Sequence, residues 1–177
     1  GRWFAAPADP PSGRLENAML AARALGAIGD SAIVEATGLG AMAMSFAPEQ
    51  EKNLGAFMPE GWRELPGLLL AAEHPGFQPL GLRVGLAARA VVSSGREPVV
   101  SLGILDREGT AGRLGGGIYR TPVPLFADGL EGLLDFIQDR QDFVFENGTV
   151  GFQRCDFLLE CSVFLVRLDG GKLRIVF

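Results

Sequence analysis

The sequence predicts an α/β fold: a mixed sheet with flanking helices and a β-rich C-terminal extension. Three observations carry this. Between Ser12 and Ile137, stretches with apolar residues at helical spacing alternate with short apolar runs of strand length. The 25 glycines and 11 prolines cut a chain that is 47% hydrophobic into many short elements. After Gln141 the texture changes, and Asn147-Gly148 and Asp169-Gly170-Gly171 stand between apolar runs as hairpin signals. These features divide the chain into an α/β domain over 1–141 and an antiparallel β extension over 142–177. For 177 residues that is one ordinary domain with a small appendage.

Taken in order, Leu15, Ala18, Met19, Ala22 and Leu25 recur at helical spacing, with Ser12 as a cap and Gly26 and Gly29 as stops. They predict a helix from Ser12 to Ala27. "SAIVEAT" (31–37) reads as a short buried strand that delivers the chain to Gly38, Gly40 and a helix-prone run of small residues. Residues 55–67, with Pro59, Gly61, Pro66 and Gly67, read as loop, and "LLLAAEH" as a short helix ended by Pro75. "GLRVGLAARAVVSSG" and "EPVVSLGIL" supply one or two strands ending at Ser94 and another ending near Leu105. Pro122 and Pro124 suit the first turn of a helix whose apolar face is Phe126, Leu130, Leu133, Leu134 and Ile137. The closing Ile175-Val176-Phe177 predicts a paired, buried last strand.

Composition narrows the function. With 16 basic against 21 acidic residues the net charge is −5, which argues against nucleic acid as a partner. No apolar run approaches the ~20 residues of a membrane helix, and "GRWFAAPADPP" lacks a secretory pattern, so a cytoplasmic location without a membrane partner is expected. Cys155 and Cys161 share one extended run, where six residues span ~20 Å, too far for a disulfide. His74 is the single histidine, which leaves too few ligands for zinc, and no cofactor is expected.

Three stretches hold candidate chemistry. In "GILDREGTAGRLGGGIYRTP" (103–122), Gly115, Gly116 and Gly117 with Arg107 and Arg113 form either an anion nest of backbone N–H groups and guanidinium donors, or plain turns in which the arginines pair with Asp106 and Glu108. The spacing is neither a Walker loop nor a dinucleotide turn. In "GDSAIVEATGLG", Asp30 and Ser31 precede Glu35, a carboxylate inside an apolar run that needs a partner if buried. Glu35 is then either a substrate-positioning group, with the Gly38 and Gly40 amides facing an anion, or a solvent-facing residue beside glycine packing. His74 is either a general base or a helix-end cap, and Met42 and Met44 read as core.

The blocks "GRWFAAPA", "GDSAIVEATGLGAMAMSFAP" and "VVSSGREPVVSLGILDREGTAGRLGGGIYRTPVPLFADGL" follow one another in an order that resembles the C-terminal part of the bacterial oxamate carbamoyltransferase subunit family. The resemblance covers roughly residues 1–133. It implies a subunit of a complex, or a homo-oligomer, that moves a carbamoyl group between oxalurate, phosphate and oxamate in allantoin catabolism. On that reading Glu35 and Asp106 carry acid–base work. Asp30, Gly38, Gly40, Arg107, Arg113, Gly115, Gly116 and Gly117 then hold a small anionic substrate. The alternative is a non-catalytic scaffold or interaction subunit derived from the same family.

Overall fold

The computed structural model describes the backbone of residues 3–146, 165–169 and 172–176, and side chains up to residue 135. The predicted Asn147-Gly148 turn, Gly170-Gly171, Cys155, Cys161 and Phe177 lie outside the described residues. The strands are β1 (Phe4–Pro7), β2 (Ser12–Leu15), β3 (Leu70–Glu73), β4 (Arg83–Leu86), β5 (Val99–Leu105), β6 (Arg113–Arg120), β7 (Leu165–Asp169) and β8 (Lys172–Val176). The α-helices are α1 (Ser31–Thr37), α2 (Pro48–Leu54), α3 (Leu65–Leu69), α4 (Ala88–Ser94) and α5 (Val123–Glu146). Short 3-10 turns fill much of the rest, notably Ala18–Arg23 and Ala41–Phe46.

The fold is α/β, with helices flanking small sheets of order β2-β6-β5, β1-β8-β7 and β3-β4. All pairings among the described residues are antiparallel. The central sheet explains the glycine-rich stretch. Residues 113–120 are not turns but the middle strand, paired with β2 on one side and β5 on the other. The approach of β2 is so close that a Cβ on Gly115 would lie 2.0 Å from the Arg14 carbonyl oxygen. The turns are confined to 106–112, where Asp106 N–H donates to the Gly112 carbonyl at 2.8 Å.

Beneath the sheets, α3 contributes Leu65 and Leu69, α4 Val91, and α5 Leu125 and Phe126 to one core with Val99 and Met42. Met42 and Met44 are buried there, as read from sequence. The predicted strand ending at Leu105 and the helix opening at Pro122 both form, because each has a long apolar face to bury.

Several elements differ from the sequence reading: α5 runs on through Glu146, past the 141/142 boundary, and the expected loop 55–67 contains a 3-10 turn at Trp62–Glu64 and the start of α3. The stretch 12–27 is β2 and then a 3-10 turn, since Ser12–Leu15 pairs with β6 and the Asn17 side chain caps the turn, accepting from Met19 N–H at 3.0 Å. Residues 31–37 form α1 rather than a strand. Ile33 and Val34 favour a strand by type, but Gly38 at φ 83° closes a helix, its N–H donating to the Val34 and Glu35 carbonyls. The run 68–74 is the end of α3 and then β3, which pairs with β4. The run 81–95 is β4 and then α4, ended by Gly95 at φ 64°.

Candidate functional site

Glu35 projects from α1 into the interior, with 3% of its surface exposed. Three backbone N–H groups converge on its carboxylate. Oε1 accepts from Ala41, in a short hydrogen bond, and from Ser101 at 3.0 Å, while Oε2 receives Met42 N–H at 3.4 Å. Ala41 and Met42 open the 3-10 turn, whose first N–H groups have no partner within the turn. Ser101 lies on β5, the edge strand of its sheet, so its outward N–H is free of the ladder. One carboxylate therefore joins a helical start to a sheet edge. Gly40 makes this possible, because a Cβ there would sit 2.2 Å from Glu35 Oε1.

Burial pushes the Glu35 carboxyl up to about 7, against the downward pull of the Ala41, Ser101 and Met42 hydrogen bonds. No cation is among these partners, so burial wins. Above the carboxylate is a cavity of about 280 Å³, lined by Ser31, Val34, Glu35, Met44, Gln50 and Ser101 among others. A carboxyl group that titrates near neutrality at the floor of a cavity can accept an N–H hydrogen bond, or take up and return a proton.

Asp106 stands in a different setting. Its carboxylate accepts from Arg23 Nε at 2.9 Å and from Arg23 Nη2, and also from the N–H groups of Glu108 at 3.2 Å, Thr110 at 3.0 Å and Ala111 at 2.8 Å. Arg23 holds it well below the usual carboxylate range. The group organises the 106–112 turn and ties it to Arg23, a residue that no sequence pattern linked to it. Arg107 is bound to the same segment, donating to the Ala24 carbonyl at 3.3 Å.

The other anticipated residues divide. Gly40 lies against Glu35 and lines the cavity, and Gly38 ends α1 with the Leu70 side chain against it. Asp30 is exposed at the start of α1 without a side-chain cap bond. Gly115, Gly116 and Gly117 are in β6, and Arg113 lies along that strand, Nε donating to the Gly115 carbonyl at 3.0 Å. His74 is exposed and accepts from Gly76 N–H at 3.1 Å, a local turn contact. Ser101, Gln50 and the Ala41 and Met42 amides were not anticipated. Their positions depend on contacts across 66 residues in the case of Ser101, which no local pattern marks. Among the described residues, no group of three or more His, Cys, Asp or Glu side chains is placed to hold a metal ion, and no helix is long and apolar enough to cross a membrane.

No family model matches the chain. It is 33% identical over 142 residues to the oxamate carbamoyltransferase subunit AllG of Escherichia coli (strain K12), covering 76% of this chain and 34% of that protein. It is 30% identical over 142 residues to the uncharacterized protein YahG of the same strain, covering 75% of this chain and 29% of that one. The fold matches the crystal structure of a conserved protein of unknown function from Enterococcus faecalis V583, with a TM-score of 0.62 and 25% identity over 76% of this chain and 34% of that one. The chain thus spans about a third of the length of the relatives it matches. Over three quarters of its residues, it is a homologue of part of the oxamate carbamoyltransferase subunit family.

Proposed function

We propose that the chain contributes the Glu35 cavity to a carbamoyltransferase-type complex of the cytoplasm, where it takes a small anion bearing an amide, such as oxamate or oxalurate, or carbamoyl phosphate. The observation that carries this is the state of Glu35. Its Oε1 is engaged by two N–H groups, whereas Oε2 has only the long contact to Met42 and keeps acceptor capacity toward the cavity. An amide N–H fits that oxygen. In the forward transfer, the oxamate nitrogen bonds to the carbamoyl carbon and the bond from that carbon to phosphate oxygen breaks. The proton leaving the nitrogen passes to Glu35, whose affinity near neutral pH suits both taking and returning it. Asp106, Arg107 and the Gly115–Gly117 run serve this site as framework.

One observation favours a second reading, a non-catalytic interaction subunit. Ile33, Val34, Leu39 and Phe46 are each at least 40% exposed around α1 and the cavity, an apolar surface suited to another subunit. Calorimetric titration with oxamate separates the readings. In Glu35→Gln the two Oε1 donors fix the amide oxygen in place and turn its NH2 toward the cavity, so oxamate binding falls by about tenfold or more. A wild-type chain that binds no oxamate supports the interaction subunit.

A further inference from the structure

Arg113 is held in a way that ion pairing does not explain. Its Nε is fixed by the Gly115 carbonyl, and its Nη1 stands 3.7 Å from Glu16, an exposed contact too long for a hydrogen bond. The guanidinium lies flat on the central sheet. Nη2 is 3.4 Å from where a Gly116 Cβ would sit, and Nε is 3.7 Å from that of Gly103. Arg14 is the register partner of Gly116 on the neighbouring strand, so its side chain leaves from the same face. Among the described residues no acceptor pairs with Arg14, which is exposed. Two guanidinium groups therefore flank one patch of sheet, and among the described residues the carboxylate near either is Glu16, 3.7 Å from Arg113 Nη1.

That patch adjoins the Glu35 cavity along two paths. Gly103 is two residues beyond Ser101 on β5, about 7 Å along the same face. Leu54, 3.8 Å from the Gly116 Cβ position, is one helical turn beyond Gln50, which lines the cavity. Among the described residues no arginine lines the cavity itself, so an anionic ligand there needs its charge met outside it.

We infer that Arg113 and Arg14 together hold the oxyanion end of the ligand, a carboxylate or a phosphate, while its amide end meets Glu35. This rests on the proposed role of the cavity, but the arginine pair is separately testable. The patch begins two residues along β5 from Ser101, which donates to Glu35, so the two ends suit one compact ligand that carries both an amide and an oxyanion.

The test is calorimetry on the whole chain with inorganic phosphate and with oxamate, comparing wild type, Arg14→Ala, Arg113→Ala, Gly103→Ala and Glu35→Gln, each checked by its melting curve. A Cβ at Gly103 meets only ordinary contacts, at 3.7–3.8 Å, so this variant folds while filling the patch. Both arginine variants and Gly103→Ala weaken anion binding about tenfold or more, and Glu35→Gln leaves phosphate binding unchanged. Tighter phosphate than oxamate marks a phosphoryl ligand, and the reverse marks a carboxylate. If Glu35→Gln also spares oxamate, the cavity reading fails and the arginine site stands. The inference is overturned if neither anion binds, or if folded Arg14→Ala and Gly103→Ala bind both as wild type does.

Discussion

Glu35 and Asp106 are both carboxylates with almost no exposure, 3% and 5%, and both gather backbone N–H groups. Their chemistry is opposite because Asp106 has Arg23 and Glu35 has no cation among its partners. Burial alone penalises a carboxylate, and backbone donors offset only part of that penalty. A guanidinium in contact reverses it. The same contact consumes Asp106: both its oxygens are occupied by Arg23 and the turn, which leaves it ionised and inert. Glu35, less well satisfied, is the one left able to act near neutral pH. Incomplete satisfaction is what separates a carboxylate that can exchange a proton near neutral pH from one that stays ionised.

The strongest way to break this contrast is to turn Asp106 into a second Glu35. Arg23→Ala leaves a buried carboxylate with backbone donors and the Thr110 hydroxyl but no cation, and it destabilises the chain more than Glu35→Gln, Gly40→Ala or Arg120→Ala. A carboxyl held below its ordinary value of about 4 contributes stability above that pH, which is lost as pH falls through it. Urea unfolding at pH 4.5 and pH 2 should show a clear loss in wild type and a smaller one in Arg23→Ala. Equal losses would mean that Arg23 does not set the state of Asp106.

Glu35 contributes with the opposite sign. Its folded value of about 7 exceeds the unfolded 4.5, so the folded chain binds the extra proton between those values and loses stability as pH rises through them. The loss amounts to roughly 3 kcal/mol from pH 4.5 to 7. Glu35→Gln keeps the Oε1 acceptor and removes the titration, so its stability should be nearly flat over that interval. A wild-type chain without the decline sinks the contrast between the two sites. Gly40→Ala acts on the same group by sterics. Its Cβ would overlap Oε1, displace the carboxylate and leave the Ala41 and Ser101 donors unmet, costing roughly 1–3 kcal/mol by chemical denaturation.

Both carboxylates stand out in the sequence, but the contrast between them does not, and the missing part has one cause. Glu35 stands out as a carboxylate in an apolar run, and Gly40 as a glycine beside it. What decides each carboxylate lies elsewhere in the chain: Arg23 is 83 residues from Asp106, and Ser101 is 66 from Glu35. The fold obeys the same rule. β5 and the first half of α5 were legible because their apolar patterns run long enough to read, whereas the end of α5, from Asp142 to Glu146, was read as strand. β6 was not, since Leu-Gly-Gly-Gly-Ile-Tyr resembles a loop until β2 packs against it. In α1, seven residues with Ile33 and Val34 at the centre favour a strand locally, and the Gly38 cap overrides them.

The smallest effect belongs to a pair that looks strong by distance alone. Arg120 Nη2 lies 2.6 Å from Glu97 Oε2, a contact within charge-assisted range. Both side chains reach solvent, at 60% and 31% exposure, so water screens their attraction and either ion is well solvated without the other. Arg120→Ala should therefore change stability by about 0–1 kcal/mol, with little dependence on pH between 5 and 8. Set beside Arg23→Ala, it isolates what burial adds, because both substitutions remove an arginine from a carboxylate. If the two variants unfold at the same urea concentration, proximity to a cation explains nothing about Asp106, and its state must come from the backbone donors of the turn. If Arg120→Ala matches wild type while Arg23→Ala collapses, water access is the variable that makes one arginine decisive and the other dispensable.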